Sequence, residues 1–233
     1  MAEQSSTAPS ASPTLVEAIL APHDVLAERL AQARVEGTAP GDPRSHAGPC
    51  DVFLAMSSEH LAAAEEVLYP AARRRLTDGR DQVSAQMHLS RQLERVLRDI
   101  EGSLYGDVFV ADAARAGLWD EAARLLAQHA EGERKLVARL TETLDHDEQR
   151  KLGESFAAAV ERAPTRPHPY SPHSAVLGRV SNRLWSLADR AMDTMDNRSV
   201  PHKPAPPHAP ADSRWGQYVL GQPAFDEEPP PEQ

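Results

Sequence analysis

The chain has 233 residues, which suits one domain of ordinary size with tails. Its formal net charge of −10 argues against a nucleic-acid partner, because a phosphate backbone requires a basic protein surface. Aromatic residues make up only 5%, and an apolar set dominated by alanine and leucine favours packed helices over a sheet.

Several other classes of protein also lack support in the sequence. The longest apolar runs fall far short of the ~20 residues of a membrane-spanning helix, and the N-terminus lacks the basic and apolar regions of a secretory signal. No glycine-rich nucleotide fingerprint and no Gly-x-Ser-x-Gly motif occurs. A single cysteine, Cys50, excludes an internal disulfide and is interpreted as a small buried residue. We therefore expect a cytoplasmic protein that binds neither membrane nor nucleic acid, and no motif identifies an enzyme.

Both ends of the chain are predicted to be disordered. Residues 1–12 are rich in Ser, Ala and Pro, and residues 199–233 hold nine of the twenty prolines. Residues 13–198 are predicted to form one all-α domain, an up-down four-helix bundle with two additional C-terminal helices. Its core is placed at residues 14–144 and its accessory helices at residues 145–198.

Apolar residues recur at helical spacing in six segments of this domain. Pro22 and Pro70 are predicted to kink the first and second helices. Residues 103–117 are predicted to be a less regular connection, and Asp145 with Glu148 predicts a capping box. The predicted helices cover about residues 14–36, 50–77, 80–102, 118–144, 146–162 and 173–197.

Three histidines and one glutamate fall on the inward stripes of three predicted helices. His23 lies on the first and His60 on the second, whereas His129 and Glu133 share one face of the fourth at i and i+4. Inward histidines are how a helical bundle builds a metal site in its core. A buried ion pair between Glu133 and His23 or His60, without metal, is the alternative.

The run from His60 through Glu-Glu-Val-Leu-Tyr to Pro70, followed by His129-x-x-x-Glu133 and preceded by the inward His23, resembles the hemerythrin-like (HHE cation-binding) family. The resemblance covers about residues 15–144. It implies a four-helix bundle with a non-haem di-iron centre, ligated by histidines from all four helices and bridged by two carboxylates. It also implies dioxygen or nitric oxide binding, or iron handling. The segment after the bundle is similar to an extension seen in some actinobacterial members.

The ligand set that this resemblance implies is incomplete here. Ala64 occupies the position four residues after His60 where the family has a carboxylate. His88 has the right location on the third helix, but helical periodicity turns it roughly 130° from the apolar stripe and faces Gln86 inward. Three histidines and one carboxylate suit a single Fe or Zn ion better than two bridged irons. The candidate metal ligands are His23, His60, His129, Glu133 and, on its sequence location, His88.

Two functions of different classes follow. The first is a hemerythrin-like cation-binding protein with a reduced, mono- or dinuclear non-haem iron site, acting in redox or small-gas (O2, NO) sensing or in iron handling. The second is a metal-free descendant of the same scaffold acting as an interaction module. In that case the apolar island Trp215–Leu220 of the tail would contact a protein partner. An iron-dependent oxidase is a third, weaker alternative.

Overall fold

The computed structural model of the chain describes residues 13–37, 47–105, 112–167 and 189. Those residues form helices and no strand, which confirms the predicted all-α class. The bounds are α1 Leu15–Gly37, α2 Ala47–Ala63, a π-helical segment Ala64–Leu68, α3 Tyr69–Arg75, α4 Gly79–Tyr105, α5 Asp112–Thr143 and α6 His146–Arg162.

Four long helical runs enclose one core. The first is α1, the second is α2 continued through the π segment into α3, and the others are α4 and α5. The helix α1 packs against both α2 and α5, and α4 packs against α5, α3 and α2. The accessory helix α6 lies against α1, α2 and the π segment. The predicted helical bundle is therefore confirmed.

The apolar core consists of two clusters separated along the bundle. On α1, Ile19 belongs to the first cluster and Leu26 to the second, with the buried His23 between them. On α5 the order is reversed, because Leu126 belongs to the second cluster and Leu136 to the first. His23 on α1, and His129 and Glu133 on α5, thus lie between two apolar clusters, where bulk water is excluded.

The predicted bounds of the irregular connection at residues 103–117 are wrong, because the prediction starts it too early and ends it too late. The helix α4 continues to Tyr105 and α5 begins at Asp112. Ser103 and Leu104 are buried, and the Ser103 hydroxyl donates to the carbonyl of Ile100, so packing against the core extends α4 beyond its apolar stripe. Cys50 is fully buried, as expected. No helix in the described ranges is long and apolar enough to cross a membrane.

The first accessory helix has the predicted start. The backbone N–H of Glu148 donates to the Asp145 carboxylate at 2.8 Å, and the N–H of Asp145 donates to the Glu148 carboxylate at 3.3 Å, which completes the capping box. The second predicted accessory helix, residues 173–197, lies outside the described residues apart from Asp189. Both predicted disordered tails also lie outside them.

Pro70 is the second residue after the π segment, which ends at Leu68. Proline has no backbone N–H, and in a regular α-helix its ring would meet the carbonyl of Glu66 four residues earlier. Here the helix widens instead, and the N–H of Tyr69 donates to the carbonyl of Ala64, five residues back. The other proline, Pro22, lies inside α1, and the kink predicted there stays a prediction.

The π segment changes which face of the helix Tyr69 occupies. Tyr69 follows His60 by nine positions, which in a regular α-helix turns it about 180° away from that histidine. A π turn adds one residue, and this rotates the residues after it by about 100° relative to an α-helix. Tyr69 therefore comes round to the inside of the bundle, where 1% of its surface is exposed.

Candidate metal centre

Four of the five candidate ligands meet in the middle of the bundle. His23 comes from α1, His60 from α2, and His129 and Glu133 from α5. Their candidate ligand atoms all lie within 4.8 Å of one another. His129 and Glu133 are 0% exposed, and the other two are no more than 5% exposed. The convergence that the inward stripes predicted is present in the structure.

Three donor atoms form a particularly tight group. His23 Nε2 lies 2.9 Å from Glu133 Oε2, His60 Nε2 lies 2.7 Å from the same oxygen, and the two nitrogens are 3.1 Å apart. Donors at right angles around an ion with ligand distances of about 2.1 Å are separated by about 3.0 Å. The group therefore has the spacing of three neighbouring positions around one metal ion.

The second oxygen of Glu133 faces a different set of polar groups. Oε1 lies 3.6 Å from His129 Nε2 and accepts a hydrogen bond from the Tyr69 hydroxyl at 3.2 Å. His129 Nε2 is 3.1 Å from both the Tyr69 hydroxyl and Ser90 Oγ. Glu133 thus joins two halves of the site. His23 and His60 form one half, and Tyr69, Ser90 and His129 form the other.

The helix α4 contributes an amide and a hydroxyl to this second half. Gln86 donates its side-chain N–H to the carbonyl of His129 at 2.9 Å, and the Ser90 hydroxyl donates to the carbonyl of Gln86 at 3.1 Å. Gly132 makes the close approach possible, because a Cβ there would lie 2.0 Å from Gln86 Oε1. Glycine at this position lets the Gln86 side chain seat against the backbone of α5.

Burial and mutual contacts set the protonation of these groups. Burial lowers the pKa of His129 to about 4, with Glu133 acting in the opposite direction. Burial alone would raise the pKa of Glu133, but the charges of His129 and His60 and the hydrogen bonds from His23 and His60 hold it well below its usual value. Burial, and next the charge of Glu133, raises the pKa of Tyr69 well above its usual value. At neutral pH His129 is thus neutral and Glu133 anionic, the forms that bind a metal ion.

The family to which the chain belongs follows from one comparison. Residues 14–141, from the start of α1 nearly to the end of α5, match the Hemerythrin HHE cation binding domain. This chain belongs to the hemerythrin HHE family. No curated protein and no solved structure shows a significant match to it. Membership of a cation-binding family and a buried group of three histidines and a glutamate both fit metal binding.

The structure does not bring His88 into this hemerythrin HHE centre. His88 is exposed on the outer face of α4, and its Nε2 lies 3.2 Å from the side-chain nitrogen of Gln92. Gln86, two residues earlier, is buried and faces the centre, as helical periodicity predicted. Side chains two positions apart in an α-helix point about 200° away from each other. Gln86 therefore faces the centre, whereas His88 faces outward and lies outside the candidate metal group.

The carboxylate that the resemblance implies on the second helix is likewise not replaced by a neighbour. Ala64 is fully buried in the first apolar cluster. Glu66 points outward and pairs with Arg162 of α6 at 3.4 Å. In the part of the chain that the structure describes, Glu133 is the one carboxylate in the candidate metal group.

Tyr69 and Ser90 are the members of the site that sequence reasoning missed. Ser90 follows the inward Gln86 by four positions, so helical periodicity alone points it to the same face. Tyr69 had no such signal, because a regular helix turns it away and only the π segment turns it back. The neighbouring Pro70 was a hint of irregular helix, but it did not indicate the direction of rotation.

Proposed function

We propose that this hemerythrin HHE protein holds one non-haem iron ion through His23, His60 and Glu133, with His129 on the other side of the carboxylate. Its role is redox or small-gas sensing, or iron handling. The observation that carries the proposal is the trio of buried donor atoms, each within 3.1 Å of the other two.

The chemistry of the donor set favours iron. Two imidazoles and one carboxylate on one face of an ion are the donor set of mononuclear non-haem Fe(II) sites, in which the remaining coordination positions are open. When bound, iron would supply those positions to a diatomic ligand such as O2 or NO, together with a one-electron redox couple. Ala64 and Gln86 stand where a bridged pair of irons would need further ligands, which supports a single ion.

The charges and the burial of the residues in this centre favour the binding of a cation. Glu133 is a fully buried anion between the two apolar clusters, an arrangement that is unfavourable unless a positive charge or strong hydrogen bonds compensate it. His129 is held neutral by burial, so it does not repel an incoming ion. The two apolar clusters on either side keep bulk water away, and this strengthens the attraction between Glu133 and a cation.

Metal content tests the proposal directly. Protein purified without oxygen should contain about one iron per chain, and a His60→Ala variant and a Glu133→Gln variant should lose it. His88→Ala is the matched control, because it removes an exposed histidine from the same bundle and should keep the metal. Wild-type protein that stays metal-free after anaerobic loading with Fe(II) contradicts the proposal.

A second candidate function is a metal-free scaffold that acts through protein contacts. It is favoured by the hydrogen bonds at 2.7 and 2.9 Å that His60 and His23 make with Glu133, since these compensate the carboxylate without any ion. The same measurement separates the two functions, because a scaffold of this kind takes up no stoichiometric iron. If the protein is a metal-free scaffold, chelators should change neither its stability nor its binding to a partner.

A cytoplasmic location is also part of the proposal. The single cysteine, Cys50, is fully buried and its thiol lies 3.4 Å from the carbonyl of Ala33. A single buried cysteine, which can form no internal disulfide, fits a reducing compartment, where structural disulfides are rare. Fractionation of cells carrying a tagged protein would test the location.

A further inference from the structure

The hydroxyl oxygen of Tyr69 lies inside the donor cluster of the metal centre. It is 3.2 Å from Glu133 Oε1, which is closer than His129 Nε2 at 3.6 Å. It is also 3.1 Å from His129 Nε2. These separations are close to the roughly 3.0 Å between neighbouring donor atoms on one metal ion. The phenol oxygen therefore satisfies the distance criterion for a ligand as well as His129 does.

The surroundings of Tyr69 differ from those of a tyrosine that only fills the core. A buried phenol needs one hydrogen-bond acceptor for its single proton. Tyr69 instead has three polar atoms within 3.2 Å, from Ser90, His129 and Glu133. The polar atoms near the Tyr69 hydroxyl are thus grouped like the ligand atoms of one metal ion.

We propose that Tyr69 is a ligand of this centre and supplies a phenolate oxygen to the same single ion in its ferric state, from the side of Glu133 that faces His129. The inference rests on the proposed function, since it requires bound iron. Phenolate and carboxylate oxygens are hard donors that suit Fe(III), and tyrosine ligates iron in the haem site of catalase. On coordination the phenol O–H bond breaks heterolytically, its proton passes to solvent and an Fe–O bond forms. No electron is exchanged in this step.

The π segment gives the proposal its structural basis. In a regular helix Tyr69 would face away from His60, and the second half of the site would hold His129 as its one strong donor. The extra residue of the π turn brings in a second donor on the side where the helix offers only Ala64. The π bulges of helices often lie at functional sites, and here the bulge places the Tyr69 side chain among the candidate metal ligands.

Visible spectroscopy of the iron-loaded protein tests this ligand. The protein is loaded with Fe(II) without oxygen, oxidised with ferricyanide, and examined by iron analysis, visible absorption and resonance Raman scattering. A phenolate bound to Fe(III) produces a charge-transfer band in the visible range and enhanced phenolate vibrations. We expect both in wild type and a loss of both in Tyr69→Phe, with the iron content of the variant unchanged.

A second variant tests the proposal even if Tyr69→Phe binds iron poorly. The chain has four tyrosines, and replacing Tyr105, Tyr170 and Tyr218 by Phe leaves Tyr69 as the only one. The band should persist in this triple variant, and its absence there overturns the proposal. Iron-loaded wild type without the band, or a band that survives Tyr69→Phe, overturns it as well. Wild type that binds no iron at all overturns the proposed function itself, an outcome that iron analysis distinguishes from the other three.

Discussion

His60 Nε2 lies 2.7 Å from Glu133 Oε2, the shortest contact of the buried cluster, and it links α2 to α5 across the centre of the bundle. Both side chains are no more than 5% exposed. A hydrogen bond to an ionised acceptor in such a setting is stronger than one between neutral groups. Losing one partner leaves the other buried and unsatisfied, so this contact matters for stability whether or not an ion is present.

Replacing Glu133 with alanine should destabilise the metal-free protein strongly. The change leaves the Nε2 atoms of His23 and His60 and the hydroxyl of Tyr69 without their shared acceptor. We expect a loss of about 3–5 kcal/mol in the free energy of unfolding, the range for breaking a buried charged pair. Urea unfolding measures it. Glu131→Ala, an exposed position in the same turn, should change stability far less, and equal losses for the two variants would contradict the prediction.

The stability of the metal-free protein should fall as the pH drops from 6.5 to 4. The folded-state pKa of His129 is about 4, against 6.5 for an unperturbed histidine, so the unfolded state binds more protons across this window. Stability is therefore fully present above pH 6.5 and declines towards pH 4, by about 3 kcal/mol for this one group. The depressed pKa of Glu133 continues the decline below its usual value of 4.5.

Urea titrations between pH 4 and pH 8 test this dependence. A His129→Gln variant should show a flatter profile over the same window, because it lacks the group that titrates differently in the two states. A wild-type profile as flat as that of the variant would show that His129 is not held neutral by burial.

Gly132→Ala should destabilise the protein although alanine favours helix. The new Cβ would lie 2.0 Å from Gln86 Oε1 and displace this side chain from its hydrogen bond to His129. The clash is with the far end of a flexible side chain, so its cost is that of leaving the buried amide of Gln86 unsatisfied, about 1–3 kcal/mol, against a gain of about 1 kcal/mol in helix propensity. Thermal unfolding of a double-mutant cycle with Gln86→Ala measures the clash, and the second change should relieve it.

Gly117→Ala is the matched control on the same helix. Nothing lies within 4 Å of a Cβ at Gly117, which is exposed, so this change should be neutral or stabilising. If Gly132→Ala raises the melting temperature as much as the control does, Gln86 does not occupy the position described.

Iron should stabilise the folded protein by an amount that rises with the logarithm of its affinity. An ion that binds only the folded state adds about 2.7 kcal/mol at a free concentration one hundred times its dissociation constant. The melting temperature should therefore rise on anaerobic addition of Fe(II) to wild type and to His88→Ala. His60→Ala should show no rise, and a rise in that variant equal to wild type would place the ion elsewhere.

The sequence alone predicts the faces of regular helices well. His129 and Glu133 are one turn apart on α5, so a period of 3.6 residues puts both on the inward stripe. The same count faces Gln86 inward and His88 outward, as the structure shows. It also predicted the capping box of α6, because capping depends only on residues three positions apart.

Tertiary structure decided how far these side chains reach and which atoms they meet. The sequence does not indicate that His23 and His60 share one oxygen of Glu133, since that depends on the separation of α1, α2 and α5 in the packed bundle. Nor does it place Tyr69 in the site, because a single π turn changes the phase of every residue after it. Local periodicity determines the direction of a side chain within its own helix, whereas a metal site depends on distances between helices, which only packing sets.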